Sequence, residues 1–101
     1  MPLNVVVVGS DEPISQDKLG LKNAQKVQAI APNTFLVVSK LAAPGLVSPL
    51  KGALKATPFY VFPVYSDSWQ GIPATDEIKR ILTEEGEDGP SALAVNLAPP
   101  I

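Results

Sequence analysis

Neither cysteine nor histidine occurs in the 101 residues. Their absence excludes disulfides, thiolate zinc sites and haem ligation by histidine, and it removes the side chain that most often acts as a general base near neutral pH. Charge is scarce as well: 18% of the residues are charged, against about 25% in an ordinary soluble domain. The hydrophobic share is 46%, so the folded surface must expose apolar or uncharged area, part of which is expected to face a partner. Long apolar runs are missing too. Val5 to Val8 is far shorter than a signal-peptide core or a membrane span, and Met1-Pro2-Leu3-Asn4 carries no basic flank. A chain of this kind reads as cytoplasmic, or as part of an assembly built in the cytosol, with no membrane partner.

Proline is abundant instead, at 11 residues, roughly double the usual share. The length suits one domain over residues 1–101, with a Pro-rich tail at 98–101. The net charge of -2 points to no class of partner, but it is unevenly spread. Up to Thr57 six lysines oppose Asp11, Glu12 and Asp17; from Pro58 onward Lys79 and Arg80 oppose seven carboxylates. If folding kept the two groups on different faces, the polarity would suit a head-to-tail contact between copies.

Asn4 to Gly9 is a β-branched run stopped by glycine, which predicts a central strand. Ser15 to Ala31 reads as a helix with Gly20, Ala24, Val27 and Ile30 or Ala31 on one side. The competing reading makes Lys26 to Ala31 a strand that turns at Pro32-Asn33 into the apolar strand Thr34 to Ser39; the helix is preferred. Leu41 to Pro58 contains Pro44-Gly45, Pro49, Gly52 and Pro58, which predicts a long connection with one helical turn at Leu50 to Ala56. Phe59 to Tyr65 is a third strand, placed at an edge because Pro63 cannot donate to a ladder. A second helix starts at Thr75 as N-cap, carries Ile78, Ile81 and Leu82 on one stripe and ends at Gly86, with Arg80 reaching Asp76 and Glu84. Ser91 to Leu97 reads as a fourth strand.

This order predicts an α+β fold, a four-stranded antiparallel sheet with two helices on one face, as in the ferredoxin-like split βαβ arrangement. The alternative is a mostly-β fold with one helix.

Chemistry-bearing patterns are few. Gly9-Ser10 follows a strand, but no further glycines stand at nucleotide-binding spacing, and Asp11 and Glu12 put negative charge where a phosphate would lie. The carboxylates at 76, 77 and 84–88 are explained by helix polarity and a solvated helix end. Their spacing is not that of a calcium loop. No catalytic residue, cofactor, metal or small-molecule substrate is therefore expected. The informative cluster is aromatic: Phe59, Tyr60, Phe62, Tyr65 and Trp69 are five of the six aromatic residues and lie within eleven positions. Strand alternation puts Phe59, Val61, Pro63 and Tyr65 on one face and Tyr60, Phe62 and Val64 on the other. One face must be core; the other is covered by the proline-rich connection or meets a partner.

These five aromatics are the candidate partner-binding residues, with Tyr60 and Trp69 foremost because a polar tip lets each stand partly in water. The expected function is that of a non-enzymatic structural or protein-interaction subunit, such as a phage or virus coat accessory protein, contacting a protein partner or further copies of itself. The alternatives are a small inhibitor or adaptor that caps a partner, and an RNA-binding module that stacks bases on the aromatics. The strand lacks the basic residue and glycine that open the RNA-recognition motif, and the charge nearby is acidic, which argues against nucleic acid.

Overall fold

In a computed structural model the chain is described over residues 2–86. The expected strand at 91–97 and the tail at 98–101 lie outside the described residues. Four strands, β1 (Leu3–Val8), β2 (Lys26–Ala31), β3 (Thr34–Val38) and β4 (Phe59–Val64), form one sheet in the order β2-β3-β1-β4. Every neighbouring pair is antiparallel. The Val5–Val8 run therefore lies in a central strand, and β4 lies at an edge. A helix α1 (Ala43–Leu54) joins β3 to β4, and a short helix α2 (Asp76–Arg80) follows β4 and widens into one π-helical turn, Ile81–Glu85.

The α+β class is as expected, but the placement of helices is not. Val6, Val8, Phe35 and Val37 pack on one face of the sheet against Leu46, Leu50 and Leu54 of α1. Leu3, Leu36 and Val38 pack on the other face against Ile78 and Ile81. The two α-helices therefore cover opposite faces, so the ferredoxin-like arrangement with both on one face does not hold. No helix among the described residues is long and apolar enough to cross a membrane.

Residues 15–31 are not a helix. One 3-10 turn (Gln16–Leu19) is followed by β2, which makes a hairpin with β3, the competing reading of the sequence. Two local features decide it. Gly20 ends the turn in the left-handed region at φ 66, and a Cβ there would lie 2.9 Å from the Ala53 Cβ, so the chain leaves the helical conformation at a position that only glycine fills without strain or collision. Asn33 takes φ 54 in the hairpin turn; its amide donates to the carbonyls of Ser10 and Glu12 at 3.1 and 2.9 Å and its oxygen accepts from the Ile14 N–H at 2.7 Å. One side chain thus fixes both the turn and the loop after β1.

The connection at 41–58 is largely helical, not a loop with one turn. Pro44 stands in the first turn, where its missing N–H breaks no bond, and Leu46, Leu50 and Leu54 recur every fourth residue on the buried side. Pro49 is tolerated inside the helix because core contacts hold its neighbours.

The last helix begins as expected. The Thr75 hydroxyl accepts the Ile78 N–H at 3.1 Å, and Ile78 and Ile81 are buried with Leu82 beside them. Arg80 pairs with Glu77 and Glu84, not with Asp76. Gly86 is set by close approach: a Cβ on it would stand 3.0 Å from the Ser66 backbone nitrogen.

Lys26 on β2 also pairs with Glu77, so folding brings the basic and acidic parts of the chain together at this point. Hydrogen bonds from Arg80 and then Lys26 hold the Glu77 carboxyl at about 2, well below its ordinary 4.5. A carboxyl lowered in the folded state contributes stability that is fully present above pH 4.5 and is lost as the pH falls toward 2. Glu77→Gln should therefore lose less melting temperature than the parent chain when the pH is taken from 4.5 to about 2. Parallel melting curves for the two proteins across that window would show that Glu77 contributes nothing there.

Candidate protein-contact edge

Strand alternation sorts the five aromatics, and the positions of the helices decide which stay exposed. Val6 stands opposite Val61, and Val8 opposite Phe59, so Phe59 and Val61 point to the α1 face and pack on its core. Tyr60 and Phe62 point to the opposite face, opposite Val7 and Val5. There α2 lies over Leu3, Leu36, Val38 and Val64 and leaves the two rings out. Tyr60 is 57% exposed and Phe62 52%. Their rings are stacked, with centroids 6.5 Å apart and planes at 16°. Isolated exposed apolar residues are ordinary, but two adjacent aromatic rings on an uncharged strand form a patch.

Tyr65 and Trp69 are half-buried beyond the end of β4 and make no ring contact with that pair among the described residues. Of the five candidates, then, the fold brings together Tyr60 and Phe62 at the surface and sends Phe59 inward. Phe62 replaces Trp69 as the partner of Tyr60. The period-two pattern already placed the two rings on one side; what it lacked was the landing point of α2.

The backbone adds a second surface. The Gly9 N–H donates to the Pro58 carbonyl at 2.8 Å and the Val8 N–H to the Asn33 carbonyl at 2.8 Å, which fixes the alternation of β1 between its neighbours. Carried along the register, it turns the peptide groups of Tyr60, Phe62 and Val64 toward β1 and those of Phe59, Val61 and Pro63 outward. Pro63 therefore sits where a missing N–H costs the sheet nothing. No described residue pairs with the outer side of β4. Alongside it runs an open groove of about 770 Å³, lined by Ala43, Pro44, Val47, Lys51 and Lys55 and by β4 itself.

Behind Pro63 lies Asn4, 1% exposed, whose Oδ1 has no partner among the described residues. A single acceptor beside a cavity of about 100 Å³ makes no binding site. A second cleft, of about 720 Å³, runs between Gly20–Gln25 and Ser39–Leu41. Neither this cleft nor the β4 groove is lined by a carboxylate, and no described cluster of Asp and Glu is arranged to hold a metal ion. Compared with protein-family models, curated proteins and solved structures, the chain matches none.

Proposed function

We propose that the chain is a non-enzymatic protein-interaction subunit that joins a larger assembly through β4. The observation that supports this most directly is the pairing of Tyr60 and Phe62, both more than half exposed, on a strand whose outer peptide groups are free of described partners. Such a strand offers two kinds of contact at once. Its backbone adds a partner strand by main-chain hydrogen bonds, and its rings supply large area with few rotors to freeze. The β4 groove lining is apolar apart from Lys51, Lys55, Thr57 and the Tyr60 hydroxyl, which suits protein contact better than acid-base chemistry.

The test is made in extracts of the source cells. The chain should migrate in a species larger than itself, and Tyr60→Lys combined with Phe62→Lys should shift it to its own size while leaving its melting temperature within a few degrees. Unchanged migration of that variant would remove β4 from any assembly.

A further inference from the structure

We infer that the partner strand of β4 is β4 of a second copy, running antiparallel about a two-fold axis through Val61, so that one sheet continues across two chains. This rests on the reading of β4 as a protein contact and names the partner.

The two edges of the sheet are treated differently by the sequence. β2 carries Lys26, and its pairing with β3 is broken by a register irregularity between Ala29 and Ala31. Charges and bulges of this kind blunt an edge against other chains. β4 carries no charged residue, and its register with β1 is unbroken from Leu3–Val64 to Val8–Phe59. Pro63 is the only device on it that would discourage pairing.

Self-pairing about Val61 makes Pro63 harmless. The outward donors of β4 are the N–H groups of Phe59 and Val61, and the outward acceptors are the carbonyls of Phe59, Val61 and Pro63. With the axis at Val61, the two copies of Val61 exchange both hydrogen bonds. Phe59 then faces Pro63 of the other copy, so the Phe59 N–H meets the Pro63 carbonyl and no N–H is needed in return. Every outward donor on both strands is satisfied. The nitrogen that cannot donate stands opposite a carbonyl, which tolerates a missing bond better than a buried N–H does.

The side chains agree with the same axis. Tyr60 falls opposite Phe62 of the other copy at a non-hydrogen-bonded pair, where the Cα atoms are about 4.5 Å apart and side chains are closest. The two exposed rings of each copy thus meet the two of the other. Four half-exposed rings supply on the order of 400 Å², about a third of the roughly 1,200 Å² at which specific interfaces begin. The strand edges, and Pro44, Val47, Lys51 and Lys55 along the groove, lie beside the rings and would add to that area. The strands themselves carry no charge that would oppose the contact.

Because the chain has no cysteine, introduced thiols test the register directly. The purified full-length chain should sediment at micromolar concentration at twice its 10.6 kDa. Tyr60→Cys combined with Phe62→Cys should give a covalent dimer on mild oxidation, since a Cα spacing of about 4.5 Å is within disulfide reach. Each single variant should stay uncrosslinked, because neither position faces itself. Tyr60→Lys combined with Phe62→Lys, which sets like charges opposite each other, should weaken dimerisation at least roughly tenfold, and Tyr60→Lys with Phe62→Glu should restore it in part. Cross-linking of Tyr60→Cys alone would place the axis elsewhere and overturn the proposal. So would a monomer that no double-cysteine variant cross-links. A monomer with the Phe59 and Val61 amides protected from hydrogen exchange would overturn it too, by showing that the chain covers its own edge. In the monomer cases, migration of the double-lysine variant in cell extracts separates the two claims: a shift keeps β4 as a contact for another protein, and no shift removes both.

Discussion

Leu50→Ala is expected to lower the unfolding free energy by about 3 to 5 kcal/mol, at the upper part of the range for buried leucines. Leu50 is fully buried in the middle of α1, one turn from Leu46 and Leu54, and belongs to the core that contains Val6, Val8, Phe35 and Val37. Truncation there opens a cavity between two rigid layers, and a β-sheet cannot easily collapse into it. The helix itself adds to the loss. Pro49 removes a hydrogen bond from its interior, Gly45 and Gly52 weaken it further, and Ala42 gives no side-chain cap. A twelve-residue helix of that composition has little stability of its own, so its attachment to the sheet must supply it. A urea titration of the variant reads the effect. A loss below about 1 kcal/mol would mean that α1 is held chiefly by something other than its leucine face.

The same helix shows why sequence patterns divide as they do. Residues 41–58 contain two prolines and two glycines before Pro58 and read as a loop, because breakers dominate any local count. Their positions matter more than their number: Pro44 falls in the first turn, and Pro49 lies between buried leucines that hold the helix despite it. At 15–31 the local pattern misleads in the opposite sense. Apolar residues at helical spacing were present, but Gly20 had to be left-handed and Asn33 had to close a turn onto residues 10–14, and both requirements are tertiary. By contrast β1, β3 and β4 were legible, since runs of β-branched and aromatic residues bounded by Gly and Pro have few other readings. The edge position of β4 followed from Pro63 alone.

The candidate contact edge was legible in part for a related reason. Alternation grouped Tyr60 with Phe62, and Phe59 with Val61, without any knowledge of the sheet. Which pair is core depended on where two helices land, and the sequence carries no signal that α1 and α2 take opposite faces. Trp69 looked suited to a surface because of its indole N–H, yet its place in the loop after β4 leaves it half-buried and apart from the ring pair.

Ile81→Ala is expected to cost about 2 to 4 kcal/mol. Ile81 is fully buried where α2 passes into its π-helical turn, and with Ile78 it closes the face formed by Leu3, Leu36 and Val38. The α-helical part of α2 is only five residues long, too short to persist unaided, so these two isoleucines and Leu82 are its main attachment. The polar supports are weaker: Thr75→Ala should cost nearer 1 kcal/mol, and the Lys26–Glu77–Arg80 group is exposed enough for water to screen it. Measured at a concentration low enough for the chain to be monomeric, Tyr60→Ala and Phe62→Ala should each cost less than Ile81→Ala, because half of each ring already lies in water. That ordering separates core from contact surface on one protein with one method. If Ile81→Ala costs below about 0.5 kcal/mol, α2 is a peripheral element rather than the cover of the second face. If Tyr60→Ala destabilises as much as Ile81→Ala, the ring pair is structural and β4 is not primarily a contact edge.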